Sequence, residues 1–304
     1  MASFTADDML KAQNAARSAL LKAKAADTEY EKIYGIKESK IEDIANADIN
    51  CKADRKNNIL SFTSGKNKLE LYLPTFCANL WTVDGKAIVH GNKMSGFGCV
   101  AFWTPSTQIR NGFTVTEQKK IKGGIEITAE KRMLDRDRSQ LAGLIIRQSF
   151  KVTDGLRKLE VITTLINSSD RNISFGVRYN LIPAIPGLPG GFTRILAKGK
   201  PVAFKRSFAR SLFTTGIDKQ FETEVRQLFS VKTPNAPIDA APVSFHAPGI
   251  KAQMTLAPAN LLAGAAVWDS GRQAAGTFEP CFKFVDLGPG GKSLTISSAM
   301  QVAK

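Results

Sequence analysis

From residue 59 to the C-terminus the chain reads as short runs of alternating apolar and polar residues, cut at intervals by Gly, Asn and Pro. Successive side chains of a strand point to opposite faces, so a period of two constrains the chain to sheets. The intervening helices that a parallel sheet requires are missing from the pattern, so the sheets are expected to be antiparallel. Residues 59–63 and 68–73 flank Gly65-Lys66-Asn67 and read as a hairpin. Residues 76–83 and 86–90 flank Asp84-Gly85, a pair that suits a tight hairpin turn. Longer strands are predicted over 124–132, 141–152 and 157–166, with a turn at Asn167-Ser168-Ser169-Asp170 and a return over 173–182. Between Leu159 and Ile166 both alternations carry apolar or β-branched residues, which predicts a strand covered on both faces. Residues 277–302 read as two strands around Leu287-Gly288-Pro289-Gly290-Gly291. Proline there fixes φ and glycine permits positive φ, so the segment is a tight corner. Residues 183–191 and 233–242 are too rich in Pro for regular structure and are expected to be long loops.

Residues 1–50 differ in kind. Thr5 precedes Asp7 and Asp8 as a helix start does, and Leu10, Ala12, Ala16, Ala19, Leu20 and Ala23 recur at helical spacing. A second helical pattern covers 28–34, and Ile36, Ile41 and Ile44 suggest a third. The expected organisation is a helical extension over 1–50 and a β-sandwich domain over 51–304. The narrow alanine-rich stripe fits either packing on the β domain or an arm through which copies of the chain oligomerise.

Composition narrows the chemistry. The formal charge of +15 points either to an acidic partner or to solvated lysines. Nucleic acid is disfavoured, because no aromatic-basic recognition pattern accompanies the charge. With His90 and His246 as the only histidines, a multi-histidine metal site is not expected, and neither is a metal or a cofactor. Cys51, Cys77, Cys99 and Cys281 form no C-x-x-C pair and are expected to be buried free thiols. Gly288-Pro289-Gly290-Gly291-Lys292-Ser293 has the outline of a phosphate loop but carries Asp286 where glycine is needed, and strand-like residues follow it. No run is long and apolar enough to span a bilayer, and the N-terminus lacks the basic start and apolar core of a signal peptide. The sequence does not assign a compartment: it is the periplasm or exterior if a signal has been removed, and otherwise the cytoplasm.

Three segments carry a resemblance: AIVHGNKMSGFGCVAFW around His90, LEVITTLINSSDRNISFGVRYN, and TFEPCFKFVDLGPGG. Together, across about 59–302, they resemble the galactose mutarotase-like (aldose epimerase-like) β-supersandwich superfamily. The resemblance implies a mostly β, antiparallel supersandwich that holds a sugar on a concave face. In the epimerases a carboxylate takes the anomeric hydroxyl proton and a histidine protonates the ring oxygen. By resemblance Glu279 takes the base role and His90 is the catalytic or sugar-binding histidine. Where the family's second histidine is expected, on the returning strand, this chain carries Arg178 and Asn180. Arginine holds its proton too tightly to act as an acid, and asparagine has none to give. Arg178 and Asn180 therefore become ligand-binding candidates, with Trp103 as an aromatic surface for a sugar ring. The leading expectation is carbohydrate binding, extending to anionic glycans, with catalysis left open. An aldose 1-epimerase-type isomerase with altered acid and base, and an assembly protein using the β domain as scaffold, are the alternatives.

Overall fold

The computed structural model describes residues 13–15, 17–18, 40–91, 96–180, 192–197, 200–205, 210–216, 243–247, 250–270 and 276–303. The chain divides into two compact units, Met1–Lys37 and Glu38–Lys304. In the first, residues 13–15 and 17–18 are helical. The second helical pattern at 28–34 and the two Pro-rich loops lie outside the described residues.

The second unit is built of antiparallel strands. A meander opens it: β1 (Ile44–Asn46), β2 (Ile49–Asp54), β3 (Ile59–Ser64), β4 (Asn67–Tyr72), β5 (Cys77–Val83) and β6 (Lys86–His90) pair in chain order into a six-stranded sheet. Then come β7 (Cys99–Thr104), β8 (Thr107–Gln108), β9 (Thr114–Ile121), β10 (Gly124–Arg132), β11 (Leu144–Thr153), β12 (Lys158–Asn167) and β13 (Ile173–Asn180). The chain continues with β14 (Phe192–Ala197), β15 (Lys200–Lys205), β16 (Arg210–Gly216), β17 (Val243–Ala247), β18 (Ile250–Ala257) and β19 (Leu262–Ser270). It closes with β20 (Gly276–Phe282), β21 (Val285–Leu287) and β22 (Ser293–Val302). A nine-stranded sheet runs β15-β14-β17-β18-β22-β12-β11-β10-β9, and a seven-stranded sheet runs β16-β19-β20-β13-β7-β8 with β21 added beside β13.

The three sheets share one core. The nine-stranded sheet contributes Ile127, Ile146, Phe150, Val161 and Ile296, the seven-stranded sheet Val100, Phe102, Val177, Tyr179 and Phe282, and the meander Leu60, Phe62, Leu71 and Trp81. Phe76 meets Phe150 edge-on at 5.1 Å between ring centres, and Tyr179 meets Phe282 in the same way at 5.8 Å. Each such side chain contributes about 1.5–3 kcal/mol on burial. Polar ties cross the core as well. The Gln148 amide donates to the Gly98 carbonyl at 2.6 Å, and the Tyr179 hydroxyl donates to the Ile296 carbonyl at 3.3 Å. Asn167 is fully buried and knots one corner of the sandwich. Its amide nitrogen donates to the Arg171 and Leu287 carbonyls, each at 2.7 Å, and its oxygen accepts from Ser169.

The structure departs from the sequence reading in four places. Ile44 opens strand β1, so no third helix includes it. Its neighbourhood is claimed by sheet contacts, with Asn46 donating at 2.6 Å to the Ile121 and Gly124 carbonyls. Residues 139–141 form a helical turn before β11. β12 buries one face only: Leu159, Val161, Thr163 and Leu165 are buried, while Glu160, Ile162, Thr164 and Ile166 are half-buried. β-Branched residues suit any pleated surface, so their presence on both alternations did not specify a second covering layer. The C-terminal run is three strands, because Lys283 and Phe284 interrupt it. No helix among the described residues is long and apolar enough to cross a membrane.

Candidate functional site

The seven-stranded sheet presents one face to the common core and a second face away from it. Along β13, Phe175, Val177 and Tyr179 belong to the core. Alternation therefore turns Gly176 and Arg178 to the other face. On β20, Phe282 belongs to the core and Cys281 to a separate small cluster with Trp103 and Ala263. Arg178 pairs in register with Ala101 of β7 and with Cys281 of β20. Glu279, two residues from Cys281, shares that face.

The sequence candidates Arg178 and Glu279 meet there. The Arg178 Nη1 lies 3.0 Å from the Glu279 Oε2, and the two side chains are only 18 % and 12 % exposed. The Arg178 Nε is buried and has no hydrogen-bond partner. An unpaired buried donor is costly, so this nitrogen is a place where a ligand oxygen would gain a strong bond.

Thiols surround the pair. Cys99, Cys281 and Cys77 are fully buried or nearly so and stand outside any disulfide, as does Cys51. The Cys99 thiol is pushed well up by its hydrogen bond to Cys77 and then by burial. Burial likewise pushes the Cys281 thiol up, the Glu279 charge adding to the effect and the Arg178 charge opposing it. Both remain protonated at neutral pH and act as small apolar walls, not nucleophiles. Among the described residues no three His, Cys, Asp or Glu side chains are placed to hold a metal ion.

The other candidates stand as follows. Asn180 pairs with Cys99, one alternation beyond Arg178 on β13. His90 ends β6 in the six-stranded sheet, opposite Leu80. The adjoining Gly91 N–H donates to the Asn79 carbonyl at 2.6 Å, and the Cys77 thiol, two residues from Asn79, bonds to that residue's side chain at 3.4 Å. Trp103 is 3 % exposed and its indole N–H donates to the Phe282 carbonyl at 2.8 Å. It forms a wall of the site's floor with its polar edge already used. Gly176 is the residue the sequence reading passed over. A Cβ there would lie 2.1 Å from the Trp103 ring. A glycine inside a strand pattern is the signal that marks such a close approach.

No protein-family model matches the chain, and no curated protein matches it. Solved structures do. The Slr1438 protein from Synechocystis sp. PCC 6803 aligns over 88 % of this chain and 99 % of its own, with a TM-score of 0.55 at 12 % identity. A galactose mutarotase-like protein from Clostridium acetobutylicum aligns over 84 % of this chain and 98 % of its own, with a TM-score of 0.52 at 11 % identity. The chain has the galactose mutarotase-like β-sandwich fold.

Proposed function

We propose that the protein binds carbohydrate on the outer face of the seven-stranded sheet, with Arg178 and Glu279 as the gripping pair. The observation that carries this reading is the 3.0 Å contact between them on a sheet of mutarotase-like fold. A guanidinium and a carboxylate held side by side offer donors and acceptors together, which suits adjacent sugar hydroxyls. Fixed before the ligand arrives, they lose little freedom on binding. Asn180 is the next polar candidate along β13, and His90, at the end of β6 in the six-stranded sheet, is a further candidate whose part in the site the ligand measurements decide. Catalysis is not part of the reading, because Arg178 cannot deliver a proton. The preference for acidic glycans rests on the formal charge of +15. At the pair itself Glu279 already balances Arg178, so a carboxylated sugar would gain there through the free Nε alone.

Titration calorimetry and saturation-transfer NMR with D-glucose, D-galactose, D-glucuronate and sulfated glycans test the proposal. Binding of at least one sugar, weakened about tenfold or more in Arg178→Lys, is the expected result, since lysine lacks the planar fork. Glu279→Gln keeps the shape and retains most of the affinity. Failure of every sugar to bind overturns the reading. Faster mutarotation by the wild type that Glu279→Gln abolishes would replace it with the epimerase reading.

A further inference from the structure

Strand β13 is flanked by an extra residue on each side at the same level. On the β7 side, Gly176 pairs with Thr104 and Val177 with Phe102, so the register shifts at Trp103. On the other side, Phe175 pairs with Val285 and Arg178 with Cys281, so Gly176 and Val177 face the three residues Phe282, Lys283 and Phe284. Bulges of this kind re-aim a side chain and weaken local pairing. Here the indole of Trp103 lies across Gly176, where a Cβ would stand 2.1–2.5 Å from three of its ring atoms. Its N–H reaches over β13 to the Phe282 carbonyl at 2.8 Å, beside the break between β20 and β21. β13 and β20 have Arg178↔Cys281 as their paired position in register. The Trp103–Phe282 hydrogen bond therefore ties β7 to β20 right beside this pair, on the strand that carries Glu279.

We infer that Trp103 is a positioning residue: a pin that spans β7, β13 and β20 and sets the Arg178–Glu279 contact. It acts through the Phe282 carbonyl and the bare surface of Gly176, and not by stacking on a ligand. As a statement about sugar affinity this rests on the function proposed above. As a statement about the ion pair it does not.

The test separates the two. Trp103→Phe keeps a ring over Gly176 and removes the N–H. The Arg178 Nε–H resonance is expected to shift, and the amides of Glu279, Cys281 and Phe282 to exchange about tenfold faster or more, while those of β11 and β12 stay as in the wild type. An unchanged Arg178 resonance with unchanged exchange overturns the pin. Should the variant not fold, the wild type decides. The Trp103 indole N–H and the β20 amides must then exchange with equal protection, and independent exchange of the indole overturns the proposal. For a sugar that the wild type binds, Trp103→Phe lowers affinity about tenfold and has no further effect in an Arg178→Ala background, as coupled sites require. An additive loss in that background overturns the positioning role. A protein that binds no sugar defeats the proposed function and leaves the exchange measurements to judge the pin.

Discussion

Cys51 shows what burial does to a single titratable group. It is 1 % exposed on β2, and burial, with the Asp43 charge adding to it, pushes its thiol up to about 12. Unfolded, the same thiol ionises near about 8.5. The folded state therefore holds a proton that the unfolded state gives up. The stabilisation is complete below about pH 8.5 and is lost as pH rises towards about 12. The urea midpoint should fall between pH 8 and pH 10, and Cys51→Ala should flatten that fall. A thiol reagent such as Ellman's should find no fast-reacting cysteine in the native protein and all 4 in urea. The cysteines' burial was readable from the apolar runs that contain them. At Gly176 a glycine inside a strand pattern signals a close approach, but that Trp103 is what approaches it follows only from the tertiary fold. Replacing Gly176 by Ala should cost about 1–3 kcal/mol in denaturant titration, by overpacking against the ring.

At the scale of the element, the turn between β11 and β12 ties distant pieces together. Asp154, Gly155 and Leu156 have φ of 51°, 56° and 66°, a left-handed run that a leucine adopts only at a cost. The contacts that hold it come from elsewhere in the chain. The Trp81 indole donates to the Leu156 carbonyl at 2.7 Å, Asn67 donates to the Gly155 carbonyl at 2.7 Å, and Arg157 grips both Asp84 oxygens at 2.7 Å. Trp81→Phe should destabilise the protein by about 1–3 kcal/mol, because it strands a buried carbonyl. Asp84→Ala should cost less than about 1 kcal/mol through the ion pair, since the Asp84 side chain is 61 % exposed. Urea titration of both variants checks the order, and the reverse order would show that the charged clamp holds the turn. The hairpins at Gly65 and at Asp84-Gly85 were legible because their information is local to the turn. The junction was not, since its partners lie 73–88 residues away.

For the whole molecule, the alternation of apolar and polar residues was enough to give the class: antiparallel, sandwiched, mostly β. The order of strands was out of reach, because β22 inserts between β18 and β12, and β13 between β20 and β7. Pairings across such separations leave no trace in a local pattern. The resemblance, and not periodicity, drew Arg178 and Glu279 together from different strands. Residues 1–37 form their own compact unit, so a chain of residues 38–304 should melt cooperatively by itself. If the missing segment is an oligomerising arm, sedimentation will show a lower mass for that fragment, and an unchanged mass rules the arm out. Across the surface, the charge of +15 should make any binding of acidic glycans fall as salt rises, because the Debye length shrinks to about 8 Å at physiological ionic strength. Equal affinity for neutral and acidic sugars at low salt would remove the electrostatic contribution.

The buried knot at Asn167 bears on the choice of expression host. Asn167-Ser168-Ser169 and Asn172-Ile173-Ser174 both satisfy the acceptor rule for N-linked glycosylation. Asn172 is exposed and could carry a glycan outside the folded sandwich. Asn167 spends its amide on the Arg171 and Leu287 carbonyls inside the corner, so a chain glycosylated there during secretion would lose the corner that its fold requires. Material secreted from a eukaryotic cell should therefore be recovered folded only with Asn167 unmodified, whereas a host without N-linked glycosylation leaves that amide intact in every chain.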